Sequence, residues 1–321
     1  MAGIGAHLIS ARYRGCGGRR YHAGRDRCTR HHRGRAARGR PTAPVTEFRV
    51  GEPEVVAPGV RRVLAPNPGR MTGPGTNTYL IGERELVVLD PGPALEAQVD
   101  ALLAAIGTAR VVAIAVTHTH RDHSPAAALL RARTAAPLVG AVPRHAAFHD
   151  RSFVADLAAH RGTSLETDCG RLVAIATPGH ASNHLCWHLP GARLLFTGDH
   201  VLGTVSPVIL APDGDMGEYL DSLARLETLD LAALAPGHGP LLRDPPAVLG
   251  ALIRHRRARE QKVLDALAAI GAGELAALLP IVYSDVAPEL HDVACYSLEA
   301  HLIKLEHDGR ARRDGAVWRA A

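Results

Sequence analysis

The chain has 321 residues, 46% hydrophobic but only 4% aromatic, enough for one large domain or two smaller ones filled by Leu, Val, Ile and Ala. Its +5 net charge comes from the start of the chain: residues 1–46 hold 11 Arg against the single acid Asp26, and the rest holds 26 basic and 31 acidic residues. The basic balance therefore argues for no nucleic-acid surface on the folded part, five cysteines without a CxxC pair argue against a disulfide framework or a thiolate zinc site, and no apolar stretch nears the roughly 18 residues of a membrane span.

Residues 1–46 read as a disordered Arg-rich leader, since Gly, Arg and His dominate and no hydrophobic period survives. Three origins compete: a mitochondrial transit peptide, a nucleic-acid-binding arm, or translated upstream sequence. The bias toward Arg (Lys262 and Lys304 are the only lysines) favours the last. That reading places the protein in the cytoplasm, and a true transit peptide would place it in the mitochondrial matrix. From residue 47 the pattern changes. Phe48-Arg49-Val50, Val60–Leu64, Thr78–Ile81 and Glu85–Leu89 read as short strands between glycine-marked turns. Leu95, Val99, Leu102, Leu103 and Ile106 have helical spacing over 94–106, and Val111–Val116 has the length and composition of a buried strand. Further strands are expected at 138–140, 172–175 and 194–196, with helices at 217–229 and 246–270. Strand, helix and strand in alternation, with polar residues on strand-end loops, fit a layered α/β plan over 47–250.

The densest chemistry follows the 111–116 strand. Thr117-His118-Thr119-His120-Arg121-Asp122-His123 offers three imidazoles and a carboxylate within six positions. A period of two puts His118 and His120 on one side, and the turn after them swings Asp122 and His123 toward a neighbouring point. Two adjacent groups of nitrogen and oxygen ligands at a rigid strand end suit zinc. Leu89-Asp90-Pro91-Gly92 precedes this block. Thr177-Pro178-Gly179-His180, Phe196-Thr197-Gly198-Asp199 and Pro236-Gly237-His238-Gly239 follow it.

Together these five motifs, present and in order, resemble the metallo-β-lactamase superfamily over about residues 47–245. The resemblance implies a four-layer αβ/βα sandwich with a dinuclear site between its sheets and two zinc ions per chain. His118, His120 and His180 would hold one ion. Asp122, His123 and His238 would hold the second, with Asp199 bridging both. A water shared by the ions would lose a proton and become a metal-bridging hydroxide, the nucleophile, with Asp122 orienting it. Asp90 is expected behind the ligands, fixing the orientation of one of them. His184 reads either as a substrate contact or as a structural histidine. His200 reads as structural, and His145, His149, His160 and His188 read as surface or packing residues. Cys186 reads as a small core residue.

Residues 251–321 read as a small winged-helix domain: helical patterns precede a hairpin candidate over 309–318 with Asp314-Gly315 as its turn. With this appendage, and with Gly73–Leu80 and Leu298–Glu306, the chain resembles the β-lactamase-like protein 2 group, whose mitochondrial member is an endoribonuclease acting on single-stranded RNA. The resemblance thus implies a metal-dependent hydrolase of single-stranded RNA. The alternative is a small-molecule thioester or ester hydrolase of the glyoxalase II (hydroxyacylglutathione hydrolase) type. Residues 250–321 contain ten basic and ten acidic residues, so only the wing is basic, through Arg310, Arg312, Arg313 and Arg319 against Asp314. Two roles stay open for it: guiding RNA, or roofing the active site and supporting a homodimer.

Overall fold

The computed structural model describes residues 48–203 and 205–321; the leader expected over 1–46 lies outside them. Seven strands form the first sheet in chain order: β1 (Pro53–Ala57), β2 (Val60–Leu64), β3 (Asn77–Ile81), β4 (Glu85–Leu89), β5 (Arg110–Ala115), β6 (Leu138–Gly140) and β7 (Leu157–Ala158). Two helices lie between its later strands, α1 (Glu96–Ile106) and α2 (Ala126–Thr134). The second sheet holds β8 (Ser164–Thr167), β9 (Gly170–Ala176), β10 (Leu185–Leu189), β11 (Leu194–Gly198), β12 (Ala233–Pro236) and β13 (Leu242–Arg243), again in chain order across the sheet.

Side-chain alternation explains why both sheets are buried on both faces. Tyr79 and Ile81, Val87 and Leu89, Ala113 and Ala115 point toward the second sheet, where Trp187, Leu194, Phe196 and Ala235 meet them. Their neighbours Leu80, Leu86, Val88 and Ile114 point the other way, onto Val99, Leu102 and Ile106 of α1 and Leu130 of α2. On the far side Cys186, Leu195 and Leu234 face Tyr219, Leu223 and Leu226 of α3 (Met216–Leu226) and Leu249 and Ile253 of α4 (Pro245–Ile270). Helices on the outside of two packed sheets make four layers, αβ/βα, as period-two strands with apolar residues on both faces require.

Parallel pairing aims the loops. β4 pairs parallel with β5, and β11 with β12, so the C-terminal ends of these strands emerge side by side. Asp90, the 117–123 block, Asp199 and His238 all lie just past such ends. Backbone and side-chain bonds stitch the two sheets together there. Trp187 Nε1 donates to the Val116 carbonyl (3.1 Å) and Leu185 N to the Thr117 carbonyl (2.7 Å). Asn77 Nδ2 donates to the carbonyls of Pro236 and Gly239, both at 2.9 Å.

Beyond the sandwich come α5 (Leu275–Val282), α6 (His291–His307) and a three-stranded sheet of β14 (Ala272–Gly273), β15 (Ala311–Asp314) and β16 (Val317–Ala320), in the order β14-β16-β15. This is a winged helix. The boundary expected at 250 falls inside α4, one continuous 26-residue helix that packs on both the sandwich and the appendage.

Several expectations shift. Phe48–Val50 makes only an isolated bridge, Val50 to Leu64, and the edge strand is β1, because Phe48 turns its ring under the Arg62 guanidinium (4.8 Å). The hairpin turn sits one residue later than expected. Asp314 pairs with Val317, and the two loop residues are Gly315 and Ala316. Only Gly315 of these has a positive φ (59°), the pattern of a Gly-first hairpin turn. Strand β12, Ala-Leu-Ala-Pro, carries no strand signal of its own, since Ala and Pro are weak strand formers and only tertiary burial orders it.

Trp187 should therefore matter beyond its volume. Trp187→Phe leaves the buried Val116 carbonyl without its donor, and we expect a loss of about 1–3 kcal/mol in urea unfolding. An unchanged midpoint would show that the bond contributes nothing.

Candidate metal centre

Two groups of side chains gather at the strand ends. His118, His120 and His180 form one; Asp122, His123, Asp199 and His238 form the other, and within each group the ligating atoms lie within 4.8 Å of one another. In the first, His118 Nε2 and His180 Nε2 approach His120 Nδ1 at 2.9 and 3.1 Å. In the second, His238 Nε2 stands 3.2 Å from Asp122 Oδ2, and His123 Nε2 3.3 Å from Asp199 Oδ1. Asp199 faces both groups, with Oδ1 toward His123 and His238 and Oδ2 3.7 Å from His180 Nε2.

Two glycines make this crowding sterically possible. Gly179 has φ +140°, and a Cβ there would lie 2.3 Å from the Tyr219 Cα. A Cβ at Gly237 would lie 2.7 Å from both Asp199 Oδ1 and His123 Cε1. The glycines of the Pro-Gly-His motifs thus serve close approach.

Outer hydrogen bonds orient the inner nitrogens. Asp90, 1% exposed and at φ +53°, accepts from Thr117 N (2.7 Å) and Thr117 Oγ1 (2.8 Å), and from His123 Nδ1 (3.1 Å). Because the Thr117 hydroxyl gives its proton to Asp90, it accepts from His118 Nδ1 at 3.0 Å. His180 Nδ1 donates to the Val208 carbonyl (2.8 Å) and His238 Nδ1 to the Gly75 carbonyl (3.1 Å). Each of these four rings therefore turns Nε2 inward.

The charge balance of this donor set fits metal ions. Burial, reinforced by the neighbouring imidazoles, pushes His118 well below the ordinary histidine range, and burial holds His120 at about 3. Three neutral rings with converging lone pairs cannot satisfy one another by hydrogen bonds, and a cation satisfies all three. In the second group burial opposes charge, but His123 and His238 outweigh it and keep Asp122 at about 2. Burial likewise opposes protonation of His238, yet Asp199 and Asp122 raise it to about 10. His123 Nε2, His238 Nε2 and Asp199 Oδ1 are buried without a hydrogen-bond partner among the described residues, despite their proximity. Two carboxylates balanced by two imidazoliums occupy the place where a dication would sit.

Of the two readings open for His184, its burial favours the structural one. It is 1% exposed, with Nδ1 2.9 Å from the Thr177 hydroxyl and its ring between His118 and His200. It packs beneath the candidate ligands, out of contact with solvent. His149, read as surface or packing, is a buried neighbour of the site: it contacts Thr119 Oγ1 (2.7 Å) and Asp213 Oδ2 (2.9 Å), and its ring lies 4.8 Å from that of His120. Its partners are 30 and 64 residues away, so local spacing holds no trace of them. The wing arginines are exposed but partly engaged. Arg310 donates to Glu260 (3.2 Å), Arg313 lies over the Trp318 ring (5.2 Å), and Arg312 pairs across the hairpin with Arg319.

Comparison with known proteins agrees with this geometry. The metallo-beta-lactamase superfamily profile matches residues 71–238, and that of the beta-lactamase associated winged helix domain matches residues 275–318. The chain belongs to the metallo-β-lactamase superfamily and is a hydrolase of that superfamily with an appended winged helix. It is similar to lactamase-like protein adaB of Aspergillus niger, 31% identical over 83% of this chain and 86% of that one. It is also similar to an atrochrysone carboxyl ACP thioesterase of Aspergillus chevalieri, 33% identical over 66% of this chain and 67% of that one. A beta-lactamase domain protein from Burkholderia ambifaria shares the fold, with a TM-score of 0.75 at 21% identity over 87% of this chain and 96% of that one. A metallo-beta-lactamase family protein from Thermus thermophilus does so with a TM-score of 0.70 at 23% identity, over 83% and 100%.

Two outcomes follow from the site. Asp90→Asn keeps the shape but replaces one accepting oxygen with an NH2 donor, so it cannot accept all three bonds, and both groups should lose metal affinity, by about 10–100-fold. Competition with a chromophoric chelator measures this, and unchanged affinities would contradict the role of Asp90.

The second concerns pH in the metal-free protein. His200 is depressed by burial to about 3 and His184 is also lowered, so their stability contribution is present above the unfolded value of roughly 6.5 and is lost as pH falls. His238, raised to about 10, contributes stability that is present below that value and lost as pH rises. Melting in the presence of a chelator should peak at roughly pH 6.5. A melting temperature rising steadily from acid to alkaline pH would contradict these assignments.

Proposed function

We propose that the protein is a dinuclear zinc-dependent hydrolase that cleaves a thioester with an apolar acyl group. The observation that carries the thioester reading is its similarity to ACP thioesterases of two Aspergillus species, at 33% and 32% identity. The donor set supports zinc: five imidazoles and two carboxylates, with no thiolate among them. Bound there, the metal pair supplies Lewis acidity toward a carbonyl oxygen and toward water.

The chain's own residues do the rest. Asp199 is nearly buried and faces both groups, so it neutralises charge on either side. Asp122 has the most exposed side chain of the four in its group, at 27%, and stays ionised. It can accept a proton from a water at the open side. Loops around the site present apolar side chains to solvent: Met71 near Gly75, Phe148 beside His149, and Val205 near Val208. Single exposed apolar residues are ordinary. One on each of three loops that contact ligand histidines supports an acyl group that is bulky and apolar.

Zinc-loaded protein should hydrolyse aromatic or long-chain acyl thioesters of pantetheine faster than S-lactoylglutathione. It should contain two zinc equivalents and lose activity to a chelator. Asp122→Asn should lower turnover by about 10²–10⁴-fold. Cleavage of single-stranded RNA at low salt without thioester hydrolysis would overturn this reading in favour of the ribonuclease. Zinc content that never exceeds one equivalent under excess would sink the dinuclear site.

A further inference from the structure

Arg256 lies on α4, outside every motif, and is only 3% exposed. Among the described residues no carboxylate lies within ion-pair distance of it. Its Nη2 donates to the Pro207 carbonyl, and its guanidinium lies 5.2 Å over the Tyr219 ring. The next carbonyl along the chain, that of Val208, accepts from His180 Nδ1 at 2.8 Å. Tyr219 in turn donates its hydroxyl to the carbonyl of His200 (3.0 Å), the residue after Asp199.

A buried arginine without an anion is a poor device for stability. Apolar residues of similar volume usually serve as well or better there, and arginine is rarely buried unpaired. What this one does is hold a main-chain carbonyl immediately before the carbonyl that fixes a ligand histidine. We infer that Arg256 is a positioning residue for the His118/His120/His180 group. It pins the Pro207-Val208 segment so that the Val208 carbonyl keeps His180 Nδ1 protonated and Nε2 turned toward His120. The inference rests on the metal-site reading above. It makes α4, the helix shared with the winged-helix appendage, part of the scaffold of the metal centre.

Arg70, in the loop that carries Gly75, makes a bidentate pair with Asp292 of α6 (2.6 and 3.0 Å). Both side chains are about half exposed, at 45% and 56%. Water and salt screen so exposed a pair, and among the described residues Arg70 holds no carbonyl beside the Gly75 carbonyl that orients His238.

The test is metal titration of chelator-stripped full-length protein with zinc, and with cobalt for its visible spectrum. It compares wild type, Arg256→Met, Arg256→Lys and the packing control Ile253→Ala on the same helix. Arg256→Met should weaken one of the two binding steps by about 10–100-fold. That step should be the one with the cobalt spectrum of the three-imidazole group, and the other should be unchanged. Arg256→Lys, which keeps one donor, should lose less. Wild-type affinities in Arg256→Met, or an equal loss in Ile253→Ala, would overturn the inference. A wild type that binds no metal would instead remove the metal-site reading itself. Should Arg256→Met fail to fold, a crystal structure of the zinc-loaded wild type decides: absence of either the Arg256–Pro207 or the His180–Val208 bond overturns the inference.

Discussion

Asp90 sits at the end of β4 with a positive φ, almost wholly out of water, and its two oxygens take three donors. A non-glycine residue in that region costs of order 1–3 kcal/mol and persists only where its surroundings over-determine it. Here they do, because one carboxylate serves both ligand groups. It reaches His123 directly and His118 through the Thr117 hydroxyl. The parallel pairing of β4 with β5 makes this possible by bringing Asp90 beside the residue that opens the histidine block. Remove the register and the carboxylate has nothing to orient.

The two ligand groups show opposite solutions to the burial of charge. Neutral imidazoles crowd together in one, each depressed by burial; carboxylates and imidazoliums cancel in the other. The first is short of positive charge only in the sense that its lone pairs lack a partner. The second already has the field of a dication laid out in protons. A metal ion at the second group would compete with protons on His123 and His238, which the neighbouring carboxylates favour, whereas burial disfavours protons on the imidazoles of the first group.

The two groups of candidate ligands were legible in the sequence because coordination demands particular side chains, and a strand end keeps them close along the chain. His118 to His123 is the extreme case. A layered α/β plan was legible for the same local reason, through short apolar runs such as Glu85–Leu89, and the four-layer sandwich only through the resemblance that the five motifs carry. Of what orients the candidate ligands, Asp90 was anticipated from its motif, and the main-chain half was not. The carbonyls of Gly75 and Val208 have no residue identity to read, and Arg256 acts only through Pro207. The His149–Asp213 contact closes over 64 residues, and the depth of His184 depends on which side of His118 it packs. Strand β12 reads Ala-Leu-Ala-Pro and becomes a strand only because β11 lies beside it.

Helix α4 also bears on how such chains are assembled. It begins within reach of β13, buries Leu249 and Ile253 against the sandwich, and still buries Val263, Ala266 and Leu267 near its far end. At 1.5 Å per residue it is a strut of about 39 Å. A recombination joint placed between the two parts would have to cut through a buried helix. The winged helix is thus not an interchangeable cassette. A new appendage could be exchanged onto this sandwich only by keeping the helix, or by inventing a substitute for its near half.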